Sequence, residues 1–331
     1  MILRTKWSTG ITYINGKEVI VSAGKIELPD KEAMKLMAHG EYYPNIKKNK
    51  PIPECKHLLM IRGDGLGDIL MLHPVRKELK RLYKMKIDFL TKEQFISMCE
   101  GDPTIDRLVT YKNFSVKEID GCINMNMCEF VFDFPTTHKI DLLARYIGLG
   151  PITDKRLFYK IKDNEIEWAR DKLKFNETPH VGLILRSSCQ SKHMGIDKYL
   201  EVSKRLLSEG IVPVVLDEDR GRYKPFKILK GVKSGCGYSV RQGAAIMALC
   251  DVIFTPDTGF MHLANAMGKK VLAYFGSIGH KIVVCPGKIT CILPEMECYP
   301  CNSFKCLNGT LGCLKYDLKK ITQLIMKEIK K

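Results

Sequence analysis

The stretch around Asp257-Thr258-Gly259 is the feature that most constrains the fold of this chain. An apolar run at 252–254 precedes this turn, and an amphipathic helix closed by Lys269-Lys270 and a second apolar run at 271–275 follow it. Strand, helix and strand in this order are typical of a parallel sheet. The first turn of a helix exposes unpaired N–H groups and the positive end of the helix dipole. The turn therefore predicts either an anion site, most often for phosphate, or an ordinary capped helix.

Length and composition indicate a globular protein of two α/β domains. The chain has 331 residues, of which 45% are hydrophobic and 27% charged. No run approaches the roughly 18 apolar residues of a membrane span, and the N-terminus lacks the apolar core of a signal peptide. We therefore expect a cytoplasmic protein whose thirteen cysteines are mostly reduced.

The net charge points to anionic partners without naming one. Lysine and arginine number 53 against 37 acidic residues, which gives a charge of +16. An excess of this size attracts nucleic acid, an anionic membrane or phosphorylated substrates, although a lysine-rich surface has the same composition. No basic block is interleaved with aromatic residues, so a local nucleic-acid signature is missing.

Residues 1–53 are expected to form an N-terminal appendage and linker. Asn15-Gly16 separates two short apolar runs at 11–14 and 17–21, a pattern that predicts a β-hairpin. A short helix over 31–39 follows. No chemistry is evident in this segment.

Residues 54–173 are predicted to form the first Rossmann-like domain. A buried strand at 57–61 leads through a glycine-rich loop into a helix over 69–83 and a strand over 86–90. The glycine spacing is not that of a dinucleotide site. Asp68 lies at the helix N-terminus, above the carboxyl end of the strand, where it either caps the helix or acts as a general base. Further elements are expected at 108–110, 130–133, 141–147 and 165–173.

Residues 174–316 are predicted to form a second domain of the same kind. Asp217 and Glu218 end one of its strands, at a place where nucleotide-binding folds commonly hold a ribose. Residues 317–331 form a terminal helix that is expected to return toward the first domain. Strands are expected at 181–185 and 212–216, and helices at 197–208, 242–249 and 318–329. We expect the two domains to face each other across a cleft that holds a two-part substrate.

Two motifs together resemble those of glycosyltransferase family 9, the heptosyltransferase-like enzymes of GT-B fold. The first is Ile61-Arg62-(x4)-Gly67-Asp68-Ile69-Leu70-(x3)-Pro74. The second is Asp257-Thr258-Gly259-(x2)-His262-Leu263-Ala264-(x)-Ala266-(x)-Gly268, ending in Tyr274-Phe275-Gly276. Lys192-His193-Met194 between them is similar to a lysine-aromatic loop of the family. The resemblance covers about residues 57–330.

The resemblance implies inverting transfer of a sugar from a nucleoside-diphosphate sugar, similar to ADP-heptose, to a saccharide or glycolipid hydroxyl. It implies that Asp68 is the general base and that no catalytic metal takes part. Lys192 and the backbone N–H groups of Thr258 and Gly259 would stabilise the negative charge of the departing diphosphate. The donor-side residues are Lys192, Asp257, Thr258, Gly259 and His262, with Asp217 or Glu218 on the ribose. The acceptor-side residues are Arg62, Gly67 and His138.

Several of these assignments are left open by the sequence. His262 is either a core histidine or a donor contact, and His138 either a surface histidine or an acceptor contact. The chain also departs from the family at Gly63-Asp64-Gly65, where serine or threonine is usual, at Lys270, where proline is usual, and at Gly276-Ser277-Ile278. These departures leave the sugar and the acceptor undetermined.

Four cysteines follow a spacing that suits a structural metal site. They are Cys298, Cys301, Cys306 and Cys313. Four thiolates close a tetrahedral zinc site and leave no open position for catalysis, so any zinc here would be structural. Free or disulfide-prone thiols are the alternative.

Two other functions remain open from sequence alone. One is a DNA-modifying glycosyltransferase that acts on a hydroxylated base, with the positive charge binding the DNA backbone. The other is a non-catalytic nucleotide-sugar-binding or structural protein that uses the N-terminal hairpin for docking. A saccharide or glycolipid acceptor would instead direct the basic surface to an anionic membrane.

Overall fold

The computed structural model describes residues 50–110, 118–126, 136–187, 189–306 and 308–331, together with the backbone of short strands between Ile2 and Pro44. The chain divides into two compact units, Met1–Asp154 and Lys155–Lys331. The sequence prediction placed the boundary later, at residue 173. Residues 155–173 therefore belong to the second unit.

The N-terminal segment contains the predicted hairpin and a small antiparallel sheet. Its strands are β1 (Ile2–Thr5), β2 (Gly10–Ile14), β3 (Lys17–Val21), β4 (Lys25–Glu27) and β5 (Tyr42–Pro44). Strands β2 and β3 pair antiparallel with Ile14 opposite Lys17, which confirms the hairpin. Strand β1 pairs antiparallel with β4 and β5, a sheet that the sequence did not predict. The helix expected over 31–39 lies outside the described residues.

The main sheet of the first unit is parallel, with strand order β8-β7-β6-β9. Its elements are a 3₁₀ turn (Ile52–Glu54), β6 (His57–Ile61), α1 (Leu66–Tyr83), β7 (Lys86–Leu90), α2 (Glu93–Cys99), β8 (Arg107–Val109), β9 (Gly121–Asn124) and α3 (Lys139–Tyr146). This is the 3-2-1-4 order of a Rossmann-like sheet. Strand β9 escaped the sequence prediction because it is short and contains glycine and asparagine, which are rare in strands. The strand expected at 130–133 lies outside the described residues.

The second unit contains a six-stranded parallel sheet of order β12-β11-β10-β13-β14-β15. Its strands are β10 (His180–Ile184), β11 (Val212–Leu216), β12 (Lys233–Ser234), β13 (Val252–Pro256), β14 (Lys270–Tyr274) and β15 (Ile289–Ile292). Its α-helices are α4 (Asp163–Leu173), α5 (Ile196–Ser208), α6 (Val240–Ala248), α7 (Gly259–Ala266), α8 (His280–Val283) and α9 (Leu318–Lys330), and its 3₁₀ turns are Gln190–Lys192, Arg220–Ile228 and Gly312–Leu314. The order is the doubly wound 3-2-1-4-5-6. The predicted α/β class with two Rossmann-like domains is confirmed.

Helix α4 belongs to the second unit because its side chains pair with α6. Glu165 Oε2 accepts a hydrogen bond from Arg241 Nη2 at 2.9 Å. The guanidinium of Arg241 also lies 5.6 Å from the ring centroid of Tyr159. These contacts hold the segment before β10 against α6 in the second unit.

Helix α7 ends earlier than the sequence prediction. The prediction closed it with Lys269 and Lys270, but the helix stops at Ala266 and Lys270 begins β14. Gly268 has φ +72°, a left-handed conformation that glycine adopts without the steric cost of a Cβ. Lys269 Nζ donates to Ala248 O at 2.8 Å, across to the end of α6. The prediction was wrong because the glycine, rather than the lysines, ends the helix.

The terminal helix α9 packs on the core of the second unit. Ile321 and Ile325 are buried there, and Asp317 Oδ1 caps the helix by accepting from the backbone N–H of Lys319 at 2.8 Å. Its expected return to the first unit stays a prediction. No helix in the described part of the chain is long and apolar enough to cross a membrane.

A buried ion network fixes helix α1, which carries Asp68, in the first unit. Asp102 accepts from His73 Nδ1 at 2.9 Å and from Arg76 Nη2 at 2.7 Å. His73 and Arg76 lie three residues apart on α1 and so share a face. Arg76 is 1% exposed, and its guanidinium lies 4.7 Å from the ring centroid of Phe89 on β7. The network therefore connects α1 both to the loop between α2 and β8, which carries Asp102, and to the sheet.

We expect Asp102→Asn to destabilise the first unit. Burial raises the pKa of the Asp102 carboxyl, but the hydrogen bond from His73 and the charge of Arg76 outweigh burial and lower the pKa overall. A depressed pKa stabilises the fold at pH values above the unfolded pKa of about 3.9, and this stability is lost as the pH falls below that value. At neutral pH the substitution should cost about 3 kcal/mol of unfolding free energy, because it leaves buried cations unpaired.

Urea unfolding of the wild type, of Asp102→Asn and of a control variant, at pH 7 and at pH 3, measures the loss of unfolding free energy. Asp154→Asn is the matched control, since Asp154 pairs with Lys77 at 2.9 Å but both side chains are substantially exposed. That variant should lose less than about 1 kcal/mol. Equal losses in the two variants, or a cost for Asp102→Asn that does not shrink at low pH, would contradict the assignment.

Candidate functional site

Asp68 stands at the start of α1, where the preceding turn brings the backbone close to its side chain. Gly65 precedes the helix with φ +81°, and a Cβ on this residue would lie 2.3 Å from Asp68 Oδ2. Only glycine combines this positive φ with the absence of a Cβ that would collide with Asp68. The Asp68 side chain is 18% exposed and so remains accessible. Gly67, expected on the acceptor side, is the second residue of the helix.

Two cations hold the Asp68 carboxylate. Arg62 Nη2 lies 2.5 Å from Oδ2, and Lys139 Nζ lies 2.6 Å from Oδ1. Opposite charges at these distances favour the ionised carboxylate, the form that accepts a proton. Lys139 is the first residue of α3 and was missed by the sequence prediction, because only the fold brings α3 to the loop after β6.

Arg62 is fixed by more than its ion pair. Its Nε donates to Asp64 O and its Nη1 to Met125 O, each at 2.9 Å. The residue is 4% exposed. These contacts favour a role for Arg62 in orienting Asp68, and its expected contact with the acceptor stays a prediction.

His138 caps a helix next to this cluster. Its Nδ1 accepts a hydrogen bond from the backbone N–H of Ile140 at 3.2 Å at the start of α3. The cap fixes the helix end from which Lys139 reaches Asp68. An acceptor contact of His138 stays a prediction.

In the second unit, Lys192 and Asp257 form a largely buried ion pair. Lys192 Nζ lies 2.7 Å from Asp257 Oδ2, and the side chains are 14% and 5% exposed. Lys192 lies in the loop after β10 and Asp257 directly follows β13. The two strands are neighbours in the sheet, so their carboxyl ends bring the charges together.

The loop that carries Lys192 is tied down at several points. Ser191 Oγ lies 2.9 Å from Ser277 Oγ, and Ser187 Oγ donates to Asp257 O at 2.9 Å. Gly276 passes so close that a Cβ there would lie 1.8 Å from Ser191 O. The position of the lysine is therefore set by the ends of β13 and β14.

Helix α7 begins beside this pair. Thr258 is its N-cap residue, but the threonine side chain makes no capping hydrogen bond, and Gly259 is its first residue. The first N–H groups of a helix have no partner within the helix and suit an anion. His262 on the same helix is 4% exposed, which favours the role of a core histidine over that of a donor contact. A donor contact of His262 stays a prediction.

The two acids at the end of β11 have different environments. The Asp217 side chain is 3% exposed, burial raises the pKa of its carboxyl, and Oδ1 accepts from the backbone N–H of Asp219 at 2.9 Å. Glu218 is 75% exposed and pairs with Arg186 Nη2 at 2.6 Å. Glu218 is thus the accessible acid of the pair, and Arg186 is a cation that the sequence prediction did not assign.

The four spaced cysteines are near one another without forming an assembled metal site. Burial raises the pKa of the Cys313 thiol, and the charges of Cys301, Cys306 and Cys298 raise it further. Among the described residues, no group of three or more histidine, cysteine or acidic side chains is placed to hold a metal ion. The structural zinc therefore stays a prediction from the spacing.

Comparison with known proteins places these features in a family. Residues 137–311 match the family model described as glycosyltransferase family 9 (heptosyltransferase). No curated protein matches the chain.

Solved structures share the fold at low sequence identity. A family 9 glycosyltransferase from Veillonella parvula has a TM-score of 0.68 at 14% identity, covering 83% of this chain and 97% of that one. ADP-heptose lps heptosyltransferase II of E. coli has a TM-score of 0.59 at 14% identity, covering 82% and 98%. The iron-containing glycosyltransferase TibC of enterotoxigenic E. coli has a TM-score of 0.65 at 16% identity, covering 84% and 79%.

The family-model match at 137–311 contains the second motif, whereas the first motif, at 61–74, lies outside it. The solved structures agree with the sheet topology of both units. The resemblance drawn from the sequence is confirmed, as is the GT-B class of two Rossmann-like domains. The family model covers more than half of the 331 residues. The chain belongs to glycosyltransferase family 9, the heptosyltransferase family, and is a glycosyltransferase.

Proposed function

We propose that this enzyme transfers a sugar, with inversion, from a nucleoside-diphosphate sugar similar to ADP-heptose to a hydroxyl of a saccharide or glycolipid. The observation that carries the proposal is the Asp68 carboxylate, accessible and held between Arg62 and Lys139. The family supports the reaction class. The complex of TibC with ADP-D-beta-D-heptose supports the donor class.

The proposed reaction is a single displacement. The acceptor hydroxyl gives its proton to Asp68 as its oxygen attacks the anomeric carbon of the donor. The bond between this carbon and the diphosphate oxygen breaks, and the nucleoside diphosphate leaves with the bonding electrons. Attack from the face opposite the leaving group inverts the anomeric configuration. Arg62 and Lys139 keep Asp68 ionised and oriented before the proton arrives.

Lys192 and the start of α7 are the proposed diphosphate site. A phosphate would meet the ammonium of Lys192 and the backbone N–H groups of Thr258 and Gly259, which are fixed before the charge develops. Asp257 carries a negative charge and would repel phosphate by itself. Its ion pair at 2.7 Å instead supports a role in aiming Lys192. Glu218, the exposed acid after β11, is the proposed ribose partner.

We expect Lys192→Ala to weaken nucleoside-diphosphate binding by about tenfold or more, because it removes a charge-assisted contact. The shift in melting temperature with ADP, UDP and GDP measures binding and also identifies the preferred nucleotide. Lys204→Ala, an exposed lysine on α5, is the control and should bind as the wild type does. Equal shifts in both variants would contradict the diphosphate site.

We expect Asp68→Asn to lower the rate of sugar transfer by about 10² to 10⁴, because the amide cannot accept the proton. Release of nucleoside diphosphate from ADP-heptose, with and without a saccharide acceptor, measures the rate. Affinity for ADP should change little, since Asp68 lies outside the proposed diphosphate site.

Asp64→Asn is the matched control for this experiment. Asp64 lies on the same loop and also pairs with a lysine, Lys92 at 2.5 Å, but its side chain is 64% exposed. This variant should keep the wild-type rate within a few-fold. If Asp68→Asn turns over as fast as Asp64→Asn, Asp68 is not the base.

An anionic saccharide or glycolipid is the proposed acceptor class, and it accounts for the charge of +16. Peripheral contact with an anionic membrane and a cytoplasmic location belong to the same proposal. The names of these solved structures refer to glycosyltransferases or heptosyltransferases, and none of them supports a nucleic-acid acceptor. The non-catalytic alternative is at odds with membership of an enzyme family.

The proposal includes a metal that is structural and none that is catalytic. Backbone N–H groups, chiefly that of Leu311, lower the pKa of the Cys306 thiol, as suits a thiolate ligand. A site closed by four thiolates leaves no open coordination position, so no catalytic step is assigned to a metal there. The iron reported for TibC makes iron as well as zinc a candidate.

We expect freshly purified, reduced protein to contain about one metal ion per chain, in the closed tetrahedral site that four thiolates form. Elemental analysis measures the ratio, and Cys298→Ser with Cys301→Ser should abolish it. A ratio near zero in the wild type would contradict the site. Loss of transfer activity in a chelator that leaves the cysteine-bound metal in place, restored by a divalent cation, would contradict a metal-independent reaction.

A further inference from the structure

Phe304 is an exposed aromatic side chain beside the proposed diphosphate site. Its exposed fraction is 64%, and its ring centroid lies 5.6 Å from Lys192 Nζ. An aromatic ring at this distance attracts the ammonium and also presents apolar surface to solvent. Such surface suits a ligand that has both an apolar face and nearby negative charge.

The backbone of Phe304 is held in place. Its carbonyl oxygen accepts from Cys189 Sγ at 2.7 Å and from Ser191 Oγ at 3.2 Å, both in the Lys192 loop. Two residues earlier, the backbone N–H of Asn302 donates to Ser277 O at 2.9 Å, just after β14. The segment is therefore anchored at the carboxyl end of β14 and to the loop that carries the lysine.

Strand order then sets the direction in which Phe304 lies from the nucleoside. Strands β11, β10, β13 and β14 are consecutive neighbours in the sheet. Glu218 follows β11, and Lys192 and Asp257 follow β10 and β13. Ser277, which holds Asn302 two residues before Phe304, follows β14. Along the carboxyl edge, the strand before the proposed ribose partner and the strand before Ser277 therefore lie on opposite sides of the two strands that carry the ion pair. A donor whose ribose is at Glu218 and whose diphosphate is at Lys192 extends its sugar toward Phe304.

We propose that the Phe304 ring packs against the apolar C–H face of the transferred sugar and contributes to the selection of a pyranose donor. This inference rests on the proposed function, since it takes the donor to be a nucleoside-diphosphate sugar. It assigns to the cysteine-rich segment around Phe304 a direct part in the donor site. The ring contacts the sugar, whereas the lysine beside it contacts the diphosphate.

The test compares two probes that share the nucleoside and both phosphates and differ by the sugar that esterifies the terminal phosphate. Calorimetric titration, without acceptor, gives the dissociation constants of ADP and of ADP-heptose, and their ratio isolates the contribution of the sugar. Phe304→Ala should reduce this ratio by about threefold to tenfold, the range of one aromatic contact. An indirect effect on Lys192 acts on the diphosphate, which both probes carry, and so weakens the binding of both.

Two further variants control for packing and exposure. Phe304→Tyr keeps the ring and should retain the wild-type ratio within twofold. Ile228→Ala removes another exposed apolar side chain, 76% exposed, in the segment after β11 on the ribose side. It should leave the ratio unchanged. UDP-glucose and GDP-mannose, each with its own nucleoside diphosphate, replace the first pair of probes if the wild type prefers another nucleotide.

The outcomes separate this inference from the proposed function. A ratio lowered in Phe304→Ala and restored in Phe304→Tyr supports it. A ratio unchanged in Phe304→Ala, while the wild type binds the donor, overturns the inference alone. Binding of both probes weakened to the same extent also overturns it, because the ring would then serve the diphosphate or the loop. A wild type that binds no nucleotide sugar of the panel overturns the proposed function and the inference with it.

Discussion

The burial of the parallel strands is the constraint on which the candidate sites depend. Strands β10 and β13 are buried along their whole length, as are four of the five residues of β6. Charged groups in such strands would lose their hydration without compensation, so they gather where the strands end. All parallel strands of a sheet end on the same edge. Side chains far apart in sequence, such as Lys192 and Asp257, meet there without any direct sequence signal.

Ion pairs hold these charges in position. Asp68 is fixed by Arg62 and Lys139, and Lys192 by Asp257, and all of these side chains are mostly withdrawn from water. Partial burial strengthens a pair, and the hydrogen bonds of Arg62 to backbone carbonyls limit its freedom further. Groups arranged in advance need little reorganisation when a proton moves or a leaving group departs. The buried network at Asp102 serves the same end, because it fixes the helix that presents Asp68.

The sequence predicted most of the fold through local periodicity and less of the site. Strands 57–61, 86–90 and 212–216 were placed within their observed bounds because each is a short apolar run between turn signals. The end of α7 was misplaced, since a left-handed glycine decided it. Lys139, Arg186 and Phe304 were not identified. Each is an ordinary residue in its local sequence and gains its place only through strand order and loop contacts.

The sequence by itself determined the alternation of strands and helices, the hairpin at Asn15-Gly16, and the two motifs that indicated the family. These are local properties, written in side-chain periodicity, turn residues and helix caps. The tertiary structure decided which groups share a site: which acid of Asp217 and Glu218 is accessible, which cations surround Asp68, and where Phe304 stands relative to Lys192. Burial and electrostatic pairing depend on neighbours in space. Strand order sets those neighbours, and local sequence patterns do not determine strand order.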